Sequence, residues 1–266
     1  VISAPILKQQ GSLKYKNTKK SSTPSDSWVY LKSSKSSIKA VRLFQGSLET
    51  NKNGIISTEI NFSDEINISC FDIQGSMIAT GHIMPVVNLW KIKDNIKFME
   101  SLRCHLSGIT SITFFHEEWS MLAVGHDDGC VSIFTVNISR FIRVLEPELI
   151  KPVTLIRTSL INGDILVIQN TILTLWSING EKVNFVQMEN TIIDAKFTAY
   201  TDGIHNNFVV ILCSDNSLFI LNSFDLDITE EIKLDKKSPV SISISKDNDT
   251  LKINYKDGYS TFWSIL

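Results

Sequence analysis

A chain of 266 residues is long enough for one large domain or two small ones. Its composition, 43% hydrophobic, 20% charged and 9% aromatic with Gly 12 and Pro 6, excludes a wholly disordered, collagen-like or coiled-coil chain. A formal net charge of -2 removes the general attraction to polyanions, so nucleic acid is not an expected partner. No apolar run approaches the roughly 20 residues that cross a bilayer; the longest, Phe208 to Cys213, is six.

Charge is unevenly spread. Residues 1 to 37 carry seven lysines (Lys8, Lys14, Lys16, Lys19, Lys20, Lys32, Lys35) against Asp26 alone, a local net of +6. The rest of the chain holds 19 basic and 27 acidic side chains, a net of -8. The first segment is rich in Ser, Thr and Gln and shows no sustained apolar period before Trp28, so 1 to 37 is expected to be a basic, solvated linker. A basic strip against anionic lipid or an acidic domain is the alternative. Its short apolar start precedes the lysines, the reverse of a secretory signal. A chain opening on Val1 is expected to be a C-terminal piece of something longer. Cys70, Cys104, Cys130 and Cys213 lie 34, 26 and 83 residues apart with no C-x-x-C, which suits core thiols in a reducing, cytoplasmic compartment. The Asn-x-Ser/Thr triplets at Asn61, Asn67, Asn137 and Asn248 are accordingly read as accidental.

From residue 38 onward, short β-branched and aromatic runs alternate with turn residues and no helical period is sustained, so the chain is all-β. The runs recur as a unit. INISCF, MIATG and PVVNLW come first, ending at Trp90; ITSITFF, MLAVG and CVSIF follow, ending at Phe134. VTLIRTS, ILVI and TILTLW end at Trp176; IIDAKF, FVVILC and SLFIL at Leu221; VSISIS, LKINY and YSTFW at Trp263. The spacings are 44, 42, 45 and 42. Six residues before each end stands Met84, Asp128, Asn170, Asp215 or Asp257, followed by Pro85, Gly129, Thr171, Asn216 or Gly258. Asp-Gly and Asp-Asn suit tight hairpins because they tolerate positive φ. A weaker fourth run follows some units, as at Arg140 to Leu145 and Ile228 to Leu234.

Four short antiparallel strands every 42 to 45 residues define a β-propeller blade, which makes 38 to 266 the propeller, and the pattern resembles the WD40 repeat family. Trp-Lys, Trp-Ser and Trp-Ser stand where that family favours Trp-Asp. The second unit keeps His105 and the turn Asp128, which the resemblance places in a hydrogen-bonded tetrad that Phe134 leaves incomplete. The structural blade positions are then Trp90, His105, Asp128, Phe134, Trp176, Asp215, Asp257 and Trp263. Five blades are clear, and residues 38 to 62 supply most of a sixth; a seventh would need residues 1 to 37 or further sequence. The last unit stops after its third strand, so its edge needs a partner strand, for which Ile38 to Phe44 and Trp28 to Leu31 are the candidates.

The stretch from Asn137 to Val183 resembles the C-terminal repeats of BEACH-domain proteins, the beige and Chediak-Higashi group. Asn137, Arg140, Pro152-Val153-Thr154, Gly163-Asp164-Ile165 and Leu175 to Gly180 match in order, and Ser238 to Ser243 also fits. Glu148 to Lys151, in place of the usual Gly-His, and Leu221 depart from the pattern. The resemblance implies a BEACH domain upstream in the same chain and peripheral association with endosomal, lysosomal or vacuolar membranes through the parent protein. It further implies a non-enzymatic scaffold in vesicle traffic, sorting to lysosome or vacuole, or autophagy, binding proteins or peptides on the propeller face. The alternative is a generic WD-repeat subunit of another complex, such as a ubiquitin-ligase substrate receptor.

Other constellations carry little. His82, His105, His116 and His126 lack ligand spacing with a carboxylate third, and His116-Glu117-Glu118-Trp119 is not H-E-x-x-H. No G-x-S-x-G, P-loop or G-x-G-x-x-G occurs. Neither metal nor cofactor is expected. Asp128 reads as a turn cap, and Trp90, Trp176 and Trp263 as packing residues in separate blades rather than a ligand cage.

Overall fold

Hairpin register explains the repeat. Trp90 pairs with Ile78, Phe134 with Leu122, Leu221 with Val209 and Trp263 with Leu251, each twelve residues earlier. Trp176 instead pairs with Ile165, eleven earlier, because only Asn170 and Thr171 separate its two strands. The hairpin turns require left-handed backbone, which Gly129, Asn170, Asn216 and Gly258 adopt at φ of 95, 62, 68 and 81°.

The computed structural model describes residues 7–14, 28–32, 37–44, 54–61, 68–82, 84–92, 96–104, 107–147, 149–202, 206–235, 238–245 and 247–265, with side chains from Cys70 onward except at Ile92 and Ile96. They form six antiparallel sheets, five of four strands and one of three. Blade 1 holds Trp28–Lys32, Ser37–Phe44 and Gly54–Asn61. Blade 2 runs from Ile68–Gln74 through Met77–His82 and Val86–Ile92 to Ile96–Arg103. Blade 3 comprises Ile109–Phe114, Met121–His126, Val131–Thr135 and Arg140–Leu145, with a 3₁₀ turn at Glu117–Trp119. Blade 4 comprises Leu155–Thr158, Ile165–Gln169, Ile172–Trp176 and Lys182–Gln187. Blade 5 comprises Ile192–Phe197, Phe208–Cys213, Ser217–Asn222 and Ile228–Lys233. Blade 6 comprises Pro239–Ile244, Thr250–Tyr255 and Tyr259–Ile265, with Leu7–Lys14 as its outer strand.

Apolar clusters fill the spaces between consecutive blades from 2 to 6. Leu89 and Leu102 meet Ile112 and Phe134 between blades 2 and 3, and Ile133 meets Ile156 and Val167 between 3 and 4. Leu173 meets Ile211 between 4 and 5, and Leu212 meets Ile253 between 5 and 6. Second strands are sandwiched on both faces, which is why Ile165–Gln169 and Phe208–Cys213 are buried throughout and read as continuous apolar runs. Fourth strands cover one face only, and Lys182–Gln187 alternates between half-buried and exposed.

Leu7–Lys14 runs antiparallel to Tyr259–Ile265, with Leu7 opposite Ile265 and Lys14 opposite Tyr259. The open edge of the last unit is thus covered, but not by either expected segment. Trp28–Lys32 and Ser37–Phe44 instead pair with each other, and Gly54–Asn61 completes their sheet. Two stretches of the expected linker are therefore strands, and its boundary at residue 37 falls inside blade 1. Edge pairing is made by backbone groups, so LKQQGSLK needs no apolar alternation to form it. Lys16, Lys19, Lys20 and Lys35 lie outside the described residues.

Candidate functional site

The inner strands of successive blades bring charge together. Asp72, Thr113, Arg157 and Lys196 share one register position, opposite Ala79, Ala123, Leu166 and Val210 of their second strands. Asp72 Oδ1 accepts from the Ile73 amide at 2.8 Å, and Oδ2 accepts from the Phe114 amide of blade 3 at 2.8 Å. Burial pushes the Asp72 carboxyl above its ordinary range, opposed by those two amides and by the Arg157 charge. Arg157 donates to Ala195 O at 2.9 Å, Ile156 O at 3.0 Å and Asp194 Oδ1 at 2.6 Å. Asp194 Oδ1 also accepts from the Ala195 amide at 2.9 Å, and Oδ2 from the Ile242 amide of blade 6 at 3.0 Å. The Lys196 amine is pushed down by burial and by Arg157, against the pull of Asp194 and Asp72. Two carboxylates and two cations thus meet along the inner wall, each carboxylate oxygen already holding a backbone amide. Chemically this is a clamp between blades, and neither carboxylate is poised as a general base.

The blade positions read from sequence are spread through separate sheets, as equivalent strand ends require. Trp90 Nε1 donates to Thr80 Oγ1 at 2.9 Å, and that hydroxyl lies 3.2 Å from His82 Nε2. Trp263 Nε1 donates to Thr261 Oγ1 at 3.1 Å, which is 3.2 Å from the Tyr255 hydroxyl. In blade 3 the corresponding pair is His126 Nε2 and Ser132 Oγ, 2.9 Å apart; Phe134, having no N–H, stacks edge-on against Phe141 at 5.6 Å instead. Trp176 is half-buried and packs on the cluster between blades 3 and 4. Asp128, Asp215 and Asp257 each accept from the amide two residues on, at 3.0, 3.2 and 3.1 Å, and Asp215 also meets Lys233 Nζ at 2.8 Å. His105 lies outside the described residues. The reading by family tetrad missed the polar residues at the ends of the second strands, His82, His126 and Tyr255. The six-residue spacing of His126 to Ser132 and of Tyr255 to Thr261 is the signal that finds those two.

Two loop faces remain. One carries the first-to-second and third-to-fourth strand connections, the other the second-to-third and inter-blade connections. On the first face, connections lean sideways on the neighbouring blade: Ser139 donates to Glu100, Asn184 to the Asp225 carbonyl, and Gly180 packs on Arg143. The Trp119 ring lies over Gly163, where an added Cβ would come within 2.2 Å of it. Ile138 at 69%, Phe224 at 60%, Leu160 at 52% and Ile161 at 40% exposure are open apolar side chains of this face. A cleft of about 220 Å³ opens on this face between the Gly75-Ser76 turn and Glu117, Ser120, Val136 and Asn137. Its inner connections carry Glu117, Glu118, Asp164, Asp202, Asp247 and Asp249, and its outer ones Glu181, Asp225 and Asp227. The sequence also places Lys93 and Lys246 in these connections, at positions outside the described residues. The other face exposes Met84, Leu149 and Ile150, with both Lys151 and Lys256 among its acidic residues.

These sheets and their register make the chain a WD40-type β-propeller. It superposes on a chain of the mitotic checkpoint complex with a TM-score of 0.66 at 14% identity, covering 87% of this chain and 69% of that one. It matches the β-propeller domain of Myceliophteria thermophila Cps50 (Swd1) with a TM-score of 0.59 at 15% identity, over 71% and 62%. No family model matches the sequence. Curated relatives are BEACH-domain proteins. They include Arabidopsis thaliana Protein SPIRRIG, 27% identical over 136 residues, 48% of this chain and 4% of that protein. Arabidopsis thaliana BEACH domain-containing protein A2 is 22% identical over 198 residues, 70% and 6% of the two chains. The Homo sapiens Lysosomal-trafficking regulator is 26% identical over 166 residues, 60% and 4%. The match therefore spans only 4 to 6% of the length of these relatives, and what is similar is what a WD-repeat region of a BEACH-domain protein would be. No helix among the described residues is long and apolar enough to cross a membrane.

Proposed function

We propose that this propeller is the protein-interaction scaffold module of a BEACH-type protein acting in vesicle traffic and in sorting to the lysosome or vacuole. The observation that carries the reading is the joint likeness of a WD40-type fold with relatives that are BEACH-domain proteins, one of them a lysosomal-trafficking regulator. A BEACH domain stands upstream in the same chain under this reading, and the parent protein works peripherally on endosomal, lysosomal or vacuolar membranes from the cytoplasm. The module is non-catalytic: Asp72 and Asp194 serve as inter-blade clamps, and the work is done by buried anchors within a polar rim on a loop face. Deleting residues 1 to 266 from the full-length protein is expected to change lysosome or vacuole diameter as loss of the whole gene does. Normal diameter in cells carrying that deletion would contradict the proposal.

A further inference from the structure

The seam between blades 3 and 4 departs from a pattern that other blades keep. The second strands of blades 2, 3, 4 and 6 end on His82, His126, Gln169 and Tyr255. In three of them that residue reaches a hydroxyl of its own blade: His82 to Thr80, His126 to Ser132 and Tyr255 to Thr261, at 2.9 to 3.2 Å. The indoles of Trp90 and Trp263 donate to the same two threonines. Blade 4 carries the matching groups, since Thr174 stands two residues before Trp176 as Thr261 does before Trp263, yet they do not meet. The Gln169 amide nitrogen donates instead to the Leu149 and Lys151 carbonyls, at 3.1 and 2.6 Å. Trp176 Nε1, Thr174 Oγ1 and Gln169 Oε1 have no hydrogen-bond partner among the described residues.

All three side chains line one cavity of about 10 Å³, walled by Val131 and Leu145 of blade 3 and Val167 of blade 4. That is room for a single water and nothing larger. Gln169 is only 4% exposed, so its carbonyl has little access to bulk solvent, and a buried polar group left unmet is costly. We infer that this cavity is a site for one structural water, which accepts from the Trp176 indole, donates to Gln169 Oε1 and shares a hydrogen bond with Thr174 Oγ1. Water suits this set because the site offers a donor, an acceptor and a hydroxyl that is either. The Gln169 carbonyl repels an anion, the indole N–H repels a cation, and the apolar walls penalise both. The water makes in blade 4 the relay that blades 2, 3 and 6 make by direct contact. Through Gln169 it also joins Trp176 to the Leu149 and Lys151 carbonyls of the connection between blades 3 and 4.

The test is a crystal structure of the whole 266-residue chain at a resolution that shows ordered water, from crystals grown once with chloride and once with bromide. One density peak is expected in the cavity, about 2.7–3.2 Å from each of the three atoms, the same in both crystals and without bromide's anomalous signal. Thr174→Val keeps the shape of the side chain and removes one partner, so the peak should weaken and the urea midpoint fall. Thr174→Ser keeps the hydroxyl and should preserve the peak. A thermal melt checks that both variants are folded. An empty cavity overturns the inference. So does Trp176 Nε1 bonded directly to Thr174 Oγ1, as Trp263 is to Thr261, or an anomalous bromide peak, which would make the site an anion site. A urea midpoint that rises in Thr174→Val would also overturn it, since the hydroxyl would then have had no partner to lose.

Discussion

Asp194 lies 2.6 Å from the Arg157 guanidinium and 3.0 Å from the Ile242 amide, so one buried side chain ties blades 4, 5 and 6 together. Asp194→Ala leaves that amide, the Ala195 amide and a largely enclosed guanidinium without their acceptor. A loss on the order of 3 kcal/mol is expected, read as a shift of the urea midpoint. Asp194→Asn, which keeps an acceptor for Ile242, should lose less. Equal losses for the two would mean that the acceptor kept by Asn contributes nothing and that the whole loss comes from the missing charge.

Gly163 and Gly258 separate packing from backbone strain. Both hold positive φ, 75° and 81°, but a Cβ at Gly163 would meet Trp119 at 2.2 Å and Ile178 at 2.6 Å, whereas at Gly258 nothing lies within 4 Å. Gly258→Ala should cost only the left-handed backbone penalty of about 1 kcal/mol. Gly163→Ala should cost about 1–3 kcal/mol more through overpacking and change the tryptophan emission spectrum. Thermal melts of the two variants make the comparison.

The N-terminal strand is predicted to be part of the folded unit. Removing residues 1 to 14 exposes the edge of Tyr259–Ile265, and such an edge recruits other chains. The shortened protein should melt earlier and elute partly as aggregate in size-exclusion chromatography. Hydrogen exchange offers an independent reading, with amides of 7 to 14 as slow as their partners in 259 to 265.

Burial pushes the Cys104 and Cys213 thiols up to about 12 and Cys130 to about 11, from an ordinary 9.0. Unfolded chains ionise these thiols near 9.0 while the native state does not. Their contribution is therefore fully present below pH 9 and is lost as pH rises toward 11 to 12. Lys196, pushed down by burial, acts in the opposite direction. Cys213→Ala isolates one thiol: the fall in urea midpoint between pH 8 and pH 10.5 should be smaller in this variant than in the parent chain.

Three of four strands per blade were legible in the sequence, for a physical reason. Second and third strands are sandwiched between neighbouring blades, so Phe208–Cys213 and Ile172–Trp176 had to be apolar. The outer strand Ile228–Lys233 buries one side and reads as a polar segment with two isoleucines. Leu7–Lys14 was illegible because strand pairing runs through backbone groups, which no residue pattern has to announce, and its register shifts between Gln9 and Gly11. The capping bonds of Asp128, Asp215 and Asp257 are local, each reaching the amide two residues on, so a hairpin aspartate is the kind of feature a sequence can suggest. Asp72, Arg157 and Asp194 could not be read as one cluster. They stand in different repeats with unlike neighbours, and only the inner-strand register brings them together.

Proximity labelling from the full-length protein, with and without residues 1 to 266, tests the central claim most directly. An interaction module of a trafficking scaffold predicts that the region's removal abolishes labelling of a discrete set of endosomal or lysosomal sorting proteins, and that restoring the region, but not its Asp194→Ala variant, recovers them. An unchanged labelled set after removal would contradict the account.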